Sequence, residues 1–310
     1  MDFQLTDDQR ALRAGVRELL ERRLSAPGSS RGSGRAGPPG SAPGAEDGLD
    51  RGLWRQLGEA GFFSLMLPEE RGGVGLGLPE AVLAFEEAGR VLLPGPAVAS
   101  FLAAGEVAGA AAGETVVTAV DGTLVPWLAE ADVVLGDASG AVPLRSVDPL
   151  TPLHRVPGTP GAGRGVTEAG RGGPGGPGPG VLLYAAEQLG SAARTCEAAV
   201  QYARDREQFG RPIGAFQAVQ HLCAQMLVRA EVARAAVYAA AVTRDPLEVA
   251  GAKLLADDAA VRNARDCLQV HGGMGFTWEA QVHLHLKRAW VRAQLGQVAE
   301  EAEEALASAL

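Results

Sequence analysis

From Val181 to the end of the chain, apolar residues return at three- and four-residue steps, and this rhythm constrains the fold more than any other feature. Phe216, Val219, Cys223, Met226, Ala230, Ala233 and Val237 form one series, and Leu247, Leu254, Val261, Ala264 and Leu268 form another. Such a period gathers apolar side chains on one face of an α-helix. With 181–205 and 277–309, these series predict four long helices. Their short connections imply antiparallel neighbours in a bundle.

The other half reads differently. Thr6 and Gln9 form a capping box ahead of Leu12, Val16, Leu19 and Leu20, the stripe of a first helix. Residues 26–48 are nearly all Gly, Pro, Ser, Ala and Arg, too poor in apolar surface to offset chain entropy, so a disordered loop is expected. Trp54, Leu57, Phe62 and Phe63 return the chain to a core. Pro79 suits the first turn of a helix running to about Leu92, stopped by Pro94. A short helix is expected over 96–107. Val116, Val117 and Val120, then Val133, Val134 and Leu135, then Val142 and Leu144, are short β-prone runs between turn residues. The expected organisation is therefore mainly α with a small β domain. It comprises an N-terminal helical domain over 1–110, a reduced β domain over 111–157, a Gly/Pro linker over 158–180 and a C-terminal four-helix bundle over 181–310.

The 310 residues carry a net charge of −9, which argues against a nucleic-acid or anionic-membrane surface. An anionic ligand would need local arginines. The first residues lack the basic and apolar regions of a signal peptide, and no apolar run is long enough to span a bilayer, so a cytoplasmic protein is expected. Cys196, Cys223 and Cys267 are widely spaced and read as reduced core thiols, with neither a disulfide framework nor a zinc site. Lys253 and Lys287 are the only lysines, and Ile213 is the only isoleucine. The bias toward Arg, Ala, Gly and Pro makes any isolated glycine a weak signal.

Two stretches carry chemistry. Arg206-Glu207-Gln208-Phe209-Gly210, followed by Ile213, Phe216 and Gln217, joins two of the helices. Arg206 is a fixed cation with a planar donor fork, Phe209 a flat apolar face, and Gln217 both donor and acceptor. Gln269-Val270-His271-Gly272-Gly273-Met274-Gly275-Phe276 closes a helix and enters a glycine-rich turn that lets backbone N–H groups approach a phosphate. Each stretch also has a plain reading. An arginine at a helix C-terminus suits the dipole, and a glycine there is an ordinary cap. No strand precedes the glycines, so this is not a Rossmann fingerprint.

Taken together, in this order and spacing, the two stretches resemble the flavin-contacting motifs of the acyl-CoA dehydrogenase family. The resemblance extends to Phe3-Gln4-Leu5-Thr6 with Gln9, to Trp54, Leu57 and Gly61, to Pro68-Glu69-Glu70 and Gly72-Gly73-Val74-Gly75, to Glu86-Glu87-Ala88-Gly89-Arg90, and to Asp148-Pro149-Leu150-Thr151. It covers nearly all of the chain outside the two Gly/Pro segments. It implies that Arg206, Phe209 and Gln217 touch FAD bound mainly by a neighbouring subunit, and that Gln269, Gly272 and Gly273 lie along its pyrophosphate. It further implies an acyl-CoA substrate, oligomerisation and an electron-transfer flavoprotein as acceptor.

The departures from the family pattern are as informative. The resemblance implies a glutamate that removes an α-proton while a hydride leaves for the flavin, a task needing a positioned base in a desolvated pocket. In most members that glutamate falls at the position of Gly296, and in a minority near Gly180. The β domain also lacks the Thr-Glu-Pro and Gly-Ser-Asp segments that help wall the flavin. Glu187, Glu279 and Glu207 are possible substitutes, each also readable as a solvated helix residue. His283-Leu284-His285 resembles short, actinobacterial-type members, some of which pair with a homologous chain. Residues two apart on a helix diverge, so these histidines with His271 do not suggest a metal site. The acidic run Glu300 to Glu304 reads as a solvated helix end. Three readings stay open: a complete FAD-dependent dehydrogenase, a base-less partner subunit of a heteromeric enzyme, and a helical interaction protein without flavin.

Overall fold

A computed structural model describes residues 4–24, 48–158 and 178–309. Of the loop predicted over 26–48, all but Gly48 lies outside the described residues, as do residues 159–177 of the predicted linker.

The N-terminal part is helical. α1 (Asp7–Leu24) starts from the expected box, with Thr6 N–H donating to Gln9 Oε1 at 3.0 Å and Gln9 N–H to Thr6 Oγ1 at 3.2 Å. α2 (Arg51–Glu59) is capped by the Asp50 carboxylate, and α3 (Leu78–Arg90) opens with Pro79 in its first turn. α3 stops two residues short of the predicted Leu92, which takes a left-handed φ of +51° and so cannot continue a helix. α4 (Ala97–Ala103) follows. The rings of Trp54, Phe62, Phe63, Phe85 and Phe101 form a chain of contacts with centroids 4.8 to 5.4 Å apart, the aromatic heart of this part. α1 buries Leu20 and Leu24, packs Leu12, Val16 and Leu19 against the same core, and is tied to α3 by charge as well. Arg13 and Arg17 bond the buried Glu86 and Glu87 of α3 at 2.7 to 3.0 Å.

Five short strands occupy the middle. β1 (Val117–Ala119) pairs in parallel with β3 (Val133–Leu135). β5 (Leu153–Arg155) lies between β2 (Leu124–Pro126) and β4 (Val142–Leu144), antiparallel to both. Asp148 fastens this layer to the bundle, because its fully buried carboxylate pairs with Arg288 and accepts a 2.6 Å bond from the Thr151 hydroxyl.

α5 (Pro179–Asp205), α6 (Gln217–Thr243) and α7 (Pro246–His271) are the long antiparallel helices. α5 begins two residues before Val181, because Pro179 supplies a ready-made first turn. It crosses α3 at two glycines. A Cβ on Gly89 would lie 2.0 Å from the Glu187 carbonyl oxygen, and one on Gly190 would lie 1.9 Å from that of Glu86. The expected fourth helix over 277–309 is instead two, α8 (Val282–Arg292) and α9 (Ala299–Ala307). The break contains Gly296, whose φ of +75° is left-handed and whose N–H donates to Asp121 Oδ2 at 2.6 Å. Among the described residues no helix is long and apolar enough to cross a membrane.

Candidate flavin-contact site and the positions of the missing base

α5 and α7 run in the same direction, so their C-terminal ends meet at one end of the bundle. Tyr202 on α5 stacks on His271 on α7, with ring centroids 4.1 Å apart and planes 21° from parallel. His271 is fixed in turn by a 2.8 Å bond between its Nδ1 and the Cys267 carbonyl. Beneath the stack, Ala199, Ala203, Met226, Ala264, Cys267 and Leu268 form a small apolar cluster shared by α5, α6 and α7. The two stretches singled out in the sequence thus share one end of the molecule.

Arg206 caps α5, its N–H donating to the Tyr202 carbonyl at 2.9 Å, and the residues after it form a hairpin rather than a glycine cap. β6 (Glu207–Gln208) pairs with β7 (Arg211–Pro212) around a turn in which Phe209 (φ +54°) and Gly210 (φ +77°) are both left-handed. Two positive φ values are what a two-residue hairpin turn of this hand requires. A phenylalanine rarely adopts that conformation. Phe209 nevertheless holds it while 91% exposed, with its ring meeting Phe216 edge-on at a centroid distance of 6.1 Å, so the strain brings little burial. Arg206 is exposed, and its guanidinium has no hydrogen bond or ion pair among the described residues. Arg211 lies 4.3 Å from the Phe216 ring centroid. Gln217, also exposed, starts α6, whose N-terminus has no side-chain cap.

The second stretch leaves its backbone open. Gln269, Gly272 and Gly273 are exposed, and a Cβ added at either glycine would meet nothing within 4 Å. Gly272 has a φ of +59°, but Gly273 has no left-handed backbone and no neighbour to demand its bare Cα. Phe276, 74% exposed, ends the turn. An unpaired cation, two exposed rings and open glycine backbone at one helix junction fit an anionic dinucleotide with a flat ring. Sequence reasoning left out Tyr202 and Phe276 as site residues. Tyr202 sits one helical turn before Arg206, and Phe276 is the aromatic closing the glycine run, so spacing could have pointed to both.

Comparisons with known proteins identify the family. The N-terminal domain of acyl-CoA dehydrogenases matches residues 6–115, and the C-terminal domain matches residues 180–308. The chain belongs to the acyl-CoA dehydrogenase family. By that membership it is a flavin oxidoreductase with FAD as cofactor. The acyl-CoA dehydrogenase IpdE2 of Mycobacterium tuberculosis is 36% identical over 270 residues, covering 78% of this chain and 81% of the relative. The acyl-CoA dehydrogenase FadE34 of the same organism is 36% identical over 283 residues, covering 74% of this chain and 38% of the relative. Among solved structures, the ChsE4–ChsE5 complex of M. tuberculosis superposes with a TM-score of 0.79 at 25% identity, covering 99% of this chain and 98% of the other. Butyryl-CoA dehydrogenase of Megasphaera elsdenii, 20% identical, shares the fold with a TM-score of 0.77, covering 100% of this chain and 99% of the other.

The two positions expected to carry the base lie together. A Cβ on Gly296 would sit 3.3 Å from the Cα of Val181, next to Gly180. None of the three substitute acids stands free beside them. Glu207 and Glu279 are exposed, on the hairpin and the turn after α7. Glu187 is buried and bonded to Arg292 at 2.9 Å. Burial raises the Glu187 carboxyl above its ordinary range despite the Arg292 and Arg288 charges, and burial likewise lowers Arg292 to about 10. Glu187, Arg292, Tyr184 and Trp127 line a cavity of only about 30 Å³. Larger hollows of about 620 and 420 Å³ lie elsewhere, and none of the six predicted flavin residues lines either.

The remaining sequence candidates are structural. The three cysteines are free, and burial pushes Cys196 up to about 11 and Cys267 up to about 12, so neither is a nucleophile. His285 Nδ1 lies 2.8 Å from the Ser191 hydroxyl, and His283 meets the edge of Trp278.

Proposed function

We propose that this chain serves the FAD-dependent α,β-dehydrogenation of an acyl-CoA thioester as the subunit without a base of its own. The juxtaposition of Gly180 and Gly296 carries this reading. The α-proton must go to a carboxylate held beside the substrate, and both places from which the family holds one are bare here. FAD, when bound, supplies the hydride acceptor. The contribution of this chain is binding and orientation. Arg206 neutralises pyrophosphate charge, Phe209 covers a flat ring, Gln217 donates and accepts at its edge, and Gln269, Gly272 and Gly273 offer backbone along the phosphates. A homologous chain supplies the glutamate and the β wall that this reduced middle layer lacks. The solved ChsE4–ChsE5 complex, a relative built from two chains, supports a heteromer. Family resemblance adds an electron-transfer flavoprotein as the next electron carrier.

The test is purification of the chain alone and together with a homologous partner. Turnover of acyl-CoA is expected only from the pair, with flavin held between the two chains. Turnover by the chain alone would overturn the proposal. A second reading rests on Glu187, the one carboxylate among the described residues lining the small cavity with Tyr184 and Arg292. In that reading Glu187→Gln abolishes turnover of the purified chain while leaving flavin bound.

A further inference from the structure

We propose that the hollow enclosed by the start of α1, the start of α3 and the α6–α7 turn is a binding site for an aliphatic primary amine. This site is separate from the flavin contacts. It lies at the opposite end of α6 from Gln217, about 40 Å away along a 27-residue helix. Its volume of about 420 Å³ is that of a small-ligand pocket, and its wall is mostly apolar. Leu5 ahead of α1, Val82 and Leu83 on α3, and Ala239, Ala241 and Val242 on α6 supply that wall. Val82, Leu83 and Ala241 are buried, whereas Val242 is 61% exposed and stands at the mouth. A hydrocarbon chain laid against these side chains leaves water.

The polar groups in the lining decide the head of the ligand. Tyr238 gives its hydroxyl proton to the buried Glu86 at 2.5 Å. Gln9 accepts from the Thr6 N–H and donates to Glu80 Oε1 at 2.8 Å, so both ends of its amide are engaged. Thr243 donates its hydroxyl to Glu248 Oε2 at 2.7 Å. Glu248 is the one charged side chain in the lining among the described residues, and no cation pairs with it there. Its Oε1 has no hydrogen bond among the described residues. An ionised carboxylate accepts and cannot donate, so the head that completes Glu248 carries N–H or O–H. An ammonium does this with the opposite charge, and a charge-assisted bond is about twice as strong as a neutral one. A fatty carboxylate or the phosphates of an acyl-CoA would meet like charge with no cation to offset it, so this is not a second thioester site. An occupant would touch the chain ahead of α1 together with α3, α6 and α7, and so tie the first helix to the bundle. A ligand that binds only the folded chain raises its Tm.

The test is calorimetric titration of the purified full-length chain at neutral pH with n-octylamine, 1-octanol and octanoate, three heads on one tail. n-Octylamine is expected to saturate at a single site, to raise Tm, and to bind roughly 10- to 100-fold tighter than octanoate, the scale of a hydrogen bond to a charged group. 1-Octanol is expected to fall between them. Glu248→Gln is expected to bring n-octylamine down to the level of 1-octanol. Ala239→Phe on the wall and Val242→Trp at the exposed mouth are expected to abolish binding of all three probes, with unliganded Tm showing that each variant folds. Octanoate bound as tightly as n-octylamine overturns the assignment of the head, and binding that survives both filling variants overturns the assignment of the site. Absence of binding to the wild type overturns the proposal outright. Binding that appears only in Phe3→Ala does the same and gives the hollow to the chain's own first residues.

Discussion

Tyr202 of α5 and His271 of α7 lie ring on ring at the end of the bundle where the hairpin at Arg206 and the glycine turn at Gly272 both lie. An aromatic pair of this kind contributes about 0.5–1.5 kcal/mol beyond the area it buries. Tyr202→Ala is therefore expected to lower flavin affinity in the purified complex, and Tyr202→Phe to preserve it. A double-mutant cycle with His271→Ala, read by flavin fluorescence on release, measures the coupling.

Among the described residues the Arg206 guanidinium has no partner to lose, so its removal should spare the fold. Arg206→Ala is expected to weaken flavin binding roughly 10- to 100-fold, the scale of a hydrogen bond to a charged group at about 1.5–3 kcal/mol. Thermal unfolding of the flavin-free chain should be unchanged. Equal flavin affinity in wild type and variant would remove Arg206 from the site.

Glu187 and Arg292 are a buried pair whose charges both suffer from lost hydration. Breaking such a pair leaves an uncompensated charge inside, at a cost of about 3–5 kcal/mol, whereas replacing both partners by apolar residues is often neutral or stabilising by about 1–4 kcal/mol. Arg292→Met is expected to destabilise strongly, and Glu187→Met/Arg292→Met to recover most or all of the loss in urea unfolding.

Asp148 ties the β layer to α8. Burial alone would raise its carboxyl, but the Arg288 charge and the Thr151 and Arg288 hydrogen bonds outweigh burial and hold it below the usual carboxylate range. A lowered folded pKa stabilises fully above the unfolded value, about 3.9, and that stabilisation disappears as pH falls through the folded value. Acid titration should therefore show a stability loss below about pH 4 that is smaller in Asp148→Asn. At neutral pH the variant is expected to be less stable by about 3–5 kcal/mol, because Arg288 is left buried without its partner.

Much of this molecule can be read from local rules. The Thr6–Gln9 box, the Pro79 start of α3 and the stripes of α5, α6 and α7 follow from periodicity and capping, which act over a few residues. The hairpin at Phe209 was not legible, because its turn lacks the asparagine or aspartate that marks such turns and places a phenylalanine where a left-handed residue is needed. The break between α8 and α9 was missed because a carboxylate from the distant β layer, Asp121, holds the turn at Gly296.

The sequence by itself determined the family resemblance and that no acid stands at Gly180 or Gly296, since both are matters of residue type and spacing. Only the tertiary structure decided that those two glycines adjoin, that Leu102 crowds Gly180 and Tyr184 crowds Gly296, and that Arg206 and Gly272 open at the same end. Those are relations between side chains far apart in the chain, set by how α3, α4, α5 and α8 pack, and a helical period carries no information about the far side of a contact.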